Sequence, residues 1–300
     1  MFFFVRHINA QDHFVKNSLT VPLGETYVKI NIYERSGSNI TFFSPHHNEQ
    51  IALKLARTAV LERGGRLVEV ESFDENGDPI RRLNFNVDGR SHSIDPNRIF
   101  TANGRNCSGL TDKAGLAIKN FAEQLLNIIF QPSAGLPQNE RMLVAVHNNS
   151  DSSEKPTGRN AADLTAISFA GEINSSQPKR TEFQDQAAGV YLSNTETDTD
   201  NFVFLSTPQY IGYFANKGFN VVVQKPLGQS DDKRCSVDDG SLSVYSAQKE
   251  ILYICLEADA KNGAVRQKQM LDAIYDLADG SFDSTSIASG GFRNGRVRNK

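Results

Sequence analysis

Three short segments hold the residues of this 300-residue chain best suited to chemistry: Ser44-Pro45-His46-His47-Asn48-Glu49, Asp95-Pro96-Asn97-Arg98 and Val144-Ala145-Val146-His147. His46, Glu49 and His147 supply two imidazoles and a carboxylate, a donor set suited to one zinc ion. A catalytic zinc usually takes three ligands from His, Asp and Glu and keeps a fourth position for water, whose pKa then falls to roughly 7. Arg98 supplies a planar guanidinium that can fork a carboxylate through two parallel hydrogen bonds, which the point charge of a lysine does not reproduce.

Such distant groups meet only if regular elements deliver them to one place. Ile40-Thr41-Phe42-Phe43 reads as a strand stopped by Pro45, and the segment from Asn48 to Ala56 has helical apolar spacing. A His at the strand end and a carboxylate three positions later, in the first helical turn, then converge on one metal. His147 closes the apolar run Met142-Leu143-Val144-Ala145-Val146, which reads as a buried strand carrying its last side chain to the same sheet edge. Ligands at the carboxyl ends of strands are where open α/β sheets place their sites.

The rest of the chain alternates strands and helices, as a mixed, largely parallel central sheet with helices on both faces requires. Tyr27 to Tyr33 alternates as an early strand, and the helix after the first ligands runs to about Arg63 and stops at Gly64-Gly65. Leu67 to Glu71 is a strand, Asn84 to Gly89 a hairpin, and Ala114 to Leu126 an amphipathic helix with a core-facing stripe. Residues 148–200 are rich in Asn, Ser, Thr, Asp and Gly and read as a long loop insertion walling the cleft, with at most a short strand near Val190-Tyr191-Leu192. Regular structure returns with strands at Phe202–Leu205 and Phe219–Val223, a helix around Pro208 to Lys217, the strand holding Glu257 and a last helix from about Val265 to Ala278. The expected organisation is an N-terminal extension over 1–25, one catalytic domain over 26–280 and a loose basic tail over 281–300.

Taken in order, these motifs resemble those of the zinc carboxypeptidase superfamily: His-x-x-Glu, here His46 and Glu49; an Asp-x-Asn-Arg motif, here Asp95-Pro96-Asn97-Arg98 with Pro where Leu is common; and a lone strand-end His, here His147. A late Gly-Ser segment, Gly240-Ser241-Leu242, followed by the strand Ile251 to Glu257, completes the pattern. The resemblance implies a carboxypeptidase-like α/β fold, one zinc ion on His46, Glu49 and His147, and Glu257 as the general base that later protonates the leaving nitrogen. It also implies that Asn97 and Arg98 hold the substrate carboxylate, and that a further arginine polarises the scissile carbonyl, with Arg90 first and Arg82 second. Leu242 and Tyr245 stand as further substrate-binding candidates; Cys235 falls near the place of the tyrosine that caps substrates in digestive carboxypeptidases. The short span from Glu49 to Asn97 is closer to the aspartoacylase and succinylglutamate desuccinylase branch, whereas the tail of the pattern is closer to the carboxypeptidases. His47 reads as a neighbour donating a supporting hydrogen bond, and His7, His13 and His92 as surface or packing residues.

The expected activity is hydrolysis of an amide next to a free carboxylate. Short peptides, including those of bacterial cell walls, lead as substrates, an N-acyl amino acid deacylase is the alternative, and a ligand-binding module on the same fold is the non-catalytic one. With 39% hydrophobic and 22% charged residues, the chain can bury one large core. A net charge of -3 gives no global pull towards nucleic acid or an anionic membrane, and no stretch reaches the roughly 20 apolar residues that span a bilayer. Cys107, Cys235 and Cys255 are too few and scattered for a disulfide framework or a Cys-type zinc site, although one pair can form in an oxidising compartment. Met1 to Gln11 is short for a secretory signal but fits the remnant of one, which leaves both a periplasmic or secreted and a cytoplasmic location open.

Overall fold

The computed structural model describes residues 14–110, 112–131, 142–149, 187–191, 193, 195–196, 198, 200–225 and 234–280. Among them, nine strands form one mixed sheet. In chain order these are β1 (Val15–Leu23), β2 (Thr26–Arg35), β3 (Ile40–Ser44), β4 (Gly65–Val70), β7 (Met142–Asn149), β8 (Ala187–Tyr191), β9 (Phe202–Leu205), β10 (Asn220–Gln224) and β11 (Tyr253–Asp259). Their spatial order is β1-β2-β4-β3-β7-β11-β9-β10-β8. The centre, β4-β3-β7-β11, is parallel throughout. A separate hairpin of β5 (Leu83–Val87) and β6 (Arg90–Ile94) turns at Asp88-Gly89, both with positive φ. That is the Asp-Gly chemistry of a tight hairpin turn.

One expectation changes here. Residues 15–23, assigned to an extension, pair with β2 along their whole length as an edge strand. Their pattern is hard to read because an edge strand with one exposed side need not alternate cleanly: seven of its nine residues are exposed. Most of the 148–200 segment lies outside the described residues, as does 281–300; within it, β8 forms the sheet edge close to the expected short strand.

The central strands are buried on both faces, so successive side chains feed two cores. Phe42, Val144, Val146, Ile254 and Leu256 pack with α1 (Gln50–Arg63) and the last helix (Ala264–Ala278). Phe43, Leu143, Ala145, Tyr253 and Cys255 pack on the other side with α3 (Asp112–Ile129). In α3 the buried residues Ala114, Ile118, Phe121, Ala122 and Leu125 recur at helical spacing. Phe43 is fully buried, and trimming such a residue to Ala costs about 3–5 kcal/mol. This two-sided burial makes the centre of the sheet the rigid platform from which the functional side chains project.

Between α1 and α3 lies the short helix α2 (Ala102–Cys107), and α4 (Ile211–Asn216) follows a 3-10 turn at Pro208–Tyr210. Ser241 caps α5 (Leu242–Gln248) by accepting from the Val244 amide, and the last helix is α6. A disulfide joins Cys107, at the end of α2, to Cys235, and Cys255 is a buried free thiol.

Candidate metal centre and active site

His46 lies two residues beyond β3, and Glu49 is the residue from which α1 starts. A turn, closed by the Glu49 amide on the His46 carbonyl, brings the two side chains together at the carboxyl edge of the sheet. His147 arrives from β7, the neighbour of β3. The Glu49 carboxylate sits between the two imidazoles, with Oε1 2.7 Å from His46 Nδ1 and Oε2 3.0 Å from His147 Nδ1. The ring centroids of His46 and His147 are 5.0 Å apart. All three residues are buried, and their candidate ligand atoms lie within 4.8 Å of one another.

The donor chemistry fits a cation. Asp95 Oδ1 lies 2.8 Å from His46 Nε2. A carboxylate only accepts, so Nε2 carries the proton and donates to it. The neutral tautomer then turns the Nδ1 lone pair towards Glu49 Oε1. Lone pair against carboxylate is repulsive unless a positive charge lies between them. Burial by itself raises the Glu49 carboxyl, but the flanking imidazoles outweigh it and hold the group well below the usual carboxylate range. For His147, burial works against the charged form and is outweighed by Glu49 and Glu257, so its pKa rises. Two imidazoles and one carboxylate are the donor set of a catalytic zinc with an open position.

Glu257, on β11, is the neighbour of His147 across the parallel pair β7-β11. It lines the same cleft as Glu49, His147 and Arg98. Burial pushes its carboxyl up, opposed by His147 and reinforced by Glu49. The Cys255 thiol donates to Glu257 Oε1 at 3.4 Å. His147, Cys255 and Glu257 form a second close group of ligand types. Burial lifts the Cys255 thiol well above its ordinary range, so it stays protonated and is a poor metal donor beside the first set.

Asn97 and Arg98 both line the cleft. Asn97 Oδ1 accepts from the Leu242 amide, tying the Asn-Arg loop to the start of α5. Arg98 Nη1 donates to the Asn97 carbonyl and lies 3.4 Å from Asp239 Oδ2.

The arginine assignment needs correction. Arg90 is exposed at the hairpin turn, and Arg82 is turned to Ser93, donating through Nε to its hydroxyl and through Nη2 to its carbonyl. Neither is among the residues lining the cleft; Arg81 is. Its Nη1 donates to Glu49 Oε1 at 2.8 Å and its Nε to Asp95 Oδ2 at 3.0 Å. The two arginines lie in the bend that leads into β5, where Arg82 meets the hairpin and Arg81 the cleft. The signal available was the Arg-Arg pair itself, just before the Asn84 to Gly89 hairpin.

Leu242 and Tyr245 are likewise displaced from the expected substrate contacts. Helix α5 turns Leu242 fully into the core, and half-buried Tyr245 packs there against Phe130, with ring centroids 6.4 Å apart. His47 faces away from His46, with Nδ1 2.9 Å from the Ser72 carbonyl oxygen and Nε2 3.4 Å from Glu69. Three contributors were missed in the sequence: Arg81, the carboxylate of Asp95 behind His46, and Asp239.

No family model matches the chain, and no curated protein does. Among solved structures it is similar to a succinylglutamate desuccinylase from Chromobacterium violaceum, with 12% identity over 92% of this chain and 72% of that one, at a TM-score of 0.42. It is also similar to an aspartoacylase family protein from Mesorhizobium loti, with 15% identity over 87% and 68% and a TM-score of 0.38. A third is a proposed metallopeptidase from Shewanella denitrificans, with 12% identity over 88% and 82% and a TM-score of 0.38.

Proposed function

We propose that this protein is a zinc-dependent hydrolase that cleaves an amide bond next to a free carboxylate, with short peptides as its leading substrates. The observation that carries the reading is the buried His46-Glu49-His147 set, with Glu257 beside it and Arg98 in the same cleft. Zinc held by those three side chains would act as a Lewis acid on the scissile carbonyl and lower the pKa of the attacking water. Glu257 takes that water's proton and returns it to the leaving nitrogen, a task helped by a carboxyl whose proton affinity burial has raised. Arg98 receives the substrate carboxylate, and Asn97 holds the loop that presents it. Arg81 holds Glu49 and Asp95 in place and favours the ionised form of Asp95. Its Nη2 has no partner among the described residues, so it can also face the carbonyl oxygen as charge develops there.

A panel of short peptides and N-acyl amino acids, assayed after zinc loading, tests this reading. Hydrolysis of substrates with a free terminal carboxylate and none of their amides is the expected result, and the preferred acyl group separates a peptidase from a deacylase. Full activity in metal-stripped protein would overturn it.

A further inference from the structure

We infer that Asn148 is a positioning residue for the metal centre: its side-chain amide fastens the start of α1, and with it Glu49, to the strand pair that carries His147 and Glu257. The inference rests on the zinc reading of His46, Glu49 and His147 and is independent of the substrate.

His147 and Glu257 share one rung of the β7-β11 ladder, whereas Glu49 reaches the site from the first residue of a helix. Where α1 begins therefore decides how far the carboxylate stands from the other two. A residue at a helix start commonly caps it with its own side chain. Glu49 makes no such bond, and its carboxylate oxygens are turned instead to the two imidazoles. The amide of Ala52, in the first turn of α1, has no intrahelical acceptor, and Ala52 is fully buried, away from water. It donates to Asn148 Oδ1 at 3.0 Å, on a residue 96 positions away.

The other end of the same amide completes the tie. Nδ2 donates to the Ala258 carbonyl at 3.4 Å, on the rung next to that of Glu257, and the main-chain N–H of Asn148 donates to Glu49 Oε2 at 3.1 Å. One residue thus touches the carboxylate, the helix that carries it and the strand that carries the base. A carboxylate in its place would meet the Ala258 carbonyl with a second acceptor, and an apolar side chain would leave the Ala52 amide unpaired.

The test compares zinc affinity, by competition with a chelator, in wild type, Asn148→Ala and the space-filling Asn148→Leu. Ser241→Ala, which removes the cap of α5, is the control for loss of a helix cap alone. The expected result is zinc bound roughly tenfold more weakly in both Asn148 variants and with unchanged affinity in the control. The visible bands of the cobalt(II)-loaded protein should shift in the Asn148 variants only. On any substrate that is hydrolysed, kcat should fall while KM stays, because the wall that carries Arg98 is held separately. Wild-type zinc affinity and an unshifted cobalt spectrum in Asn148→Leu would overturn the inference and leave Asn148 as a cap; a loss confined to Asn148→Ala is a packing effect and overturns it equally. Zinc held normally by wild type without hydrolysis of any substrate would sink the hydrolase reading alone, whereas a wild type that takes up neither metal brings down both.

Discussion

One side of the cleft hangs from the sheet, through β3, β7 and β11, whereas the opposite side is made of two segments outside the sheet, residues 97–107, which end in α2, and 234–243, which lead into α5. On the sheet side, ladder hydrogen bonds and two flanking cores determine where His147 and Glu257 sit. On the loop side, position comes from backbone meeting backbone. The Phe100 amide donates to the Gly240 carbonyl at 2.8 Å, and a Cβ built on Gly104 would lie 2.1 Å from Gly240 Cα. Thr101 donates to Asp238 Oδ1, Asn103 donates to the Asp238 carbonyl, and Cys107 is bonded to Cys235. The difference teaches that the candidate metal ligands and Glu257 are positioned by the sheet, while the wall that carries Arg98 is held by staples. Damage to the wall should therefore spare the metal.

The sharpest break falls on the sheet side. His147→Ala should remove the metal and bring turnover to background; normal zinc stoichiometry in that variant would refute the ligand assignment. Glu257→Gln should keep zinc and lower kcat by about 10²- to 10⁴-fold; activity within tenfold of wild type would remove Glu257 from the mechanism. Asp95→Asn, which weakens the acceptor behind His46, should cost about 10- to 100-fold in zinc affinity or activity, measured by competition with a chelator.

The loop side should behave differently. Gly104→Ala forces the two loops apart, at about 1–3 kcal/mol of overpacking; it should raise KM while zinc affinity stays at the wild-type value. Weakened zinc binding in this variant would dissolve the comparison. Cys107→Ser should have the smallest effect on turnover. Its cost is in stability, typically about 2–4 kcal/mol, read as a lower melting temperature in the zinc-loaded protein.

The same division decides what could be read from the sequence. His46 and Glu49 were legible because their spacing is local, and His147 because it ends an apolar run that has few other readings. The end of α1 was legible from the glycines that stop it. Arg81 was not, because which of two adjacent arginines faces inward depends on the path of the chain before β5. Leu242 and Tyr245 were misplaced because α5, seven residues long and capped by Ser241, turns them inward, and so short a helix leaves little periodic signal. Asp239 sits in an Asp-Asp-Gly stretch that reads as an ordinary turn until Arg98 is brought to it. The Cys107–Cys235 bond joins residues 128 positions apart, beyond any local rule.

Glu257 and His147 face each other across two adjacent main chains, and that spacing, about 4.8 Å, is common to all such ladders. The gap between base and imidazole is thus measured by peptide groups, which every substitution except proline leaves intact. Apolar neighbours can drift in identity without moving the pair. A slip of one position along the ladder would turn the glutamate through the sheet and abolish the proposed chemistry at once, which therefore depends on the alignment of two strands more than on the residues that surround them.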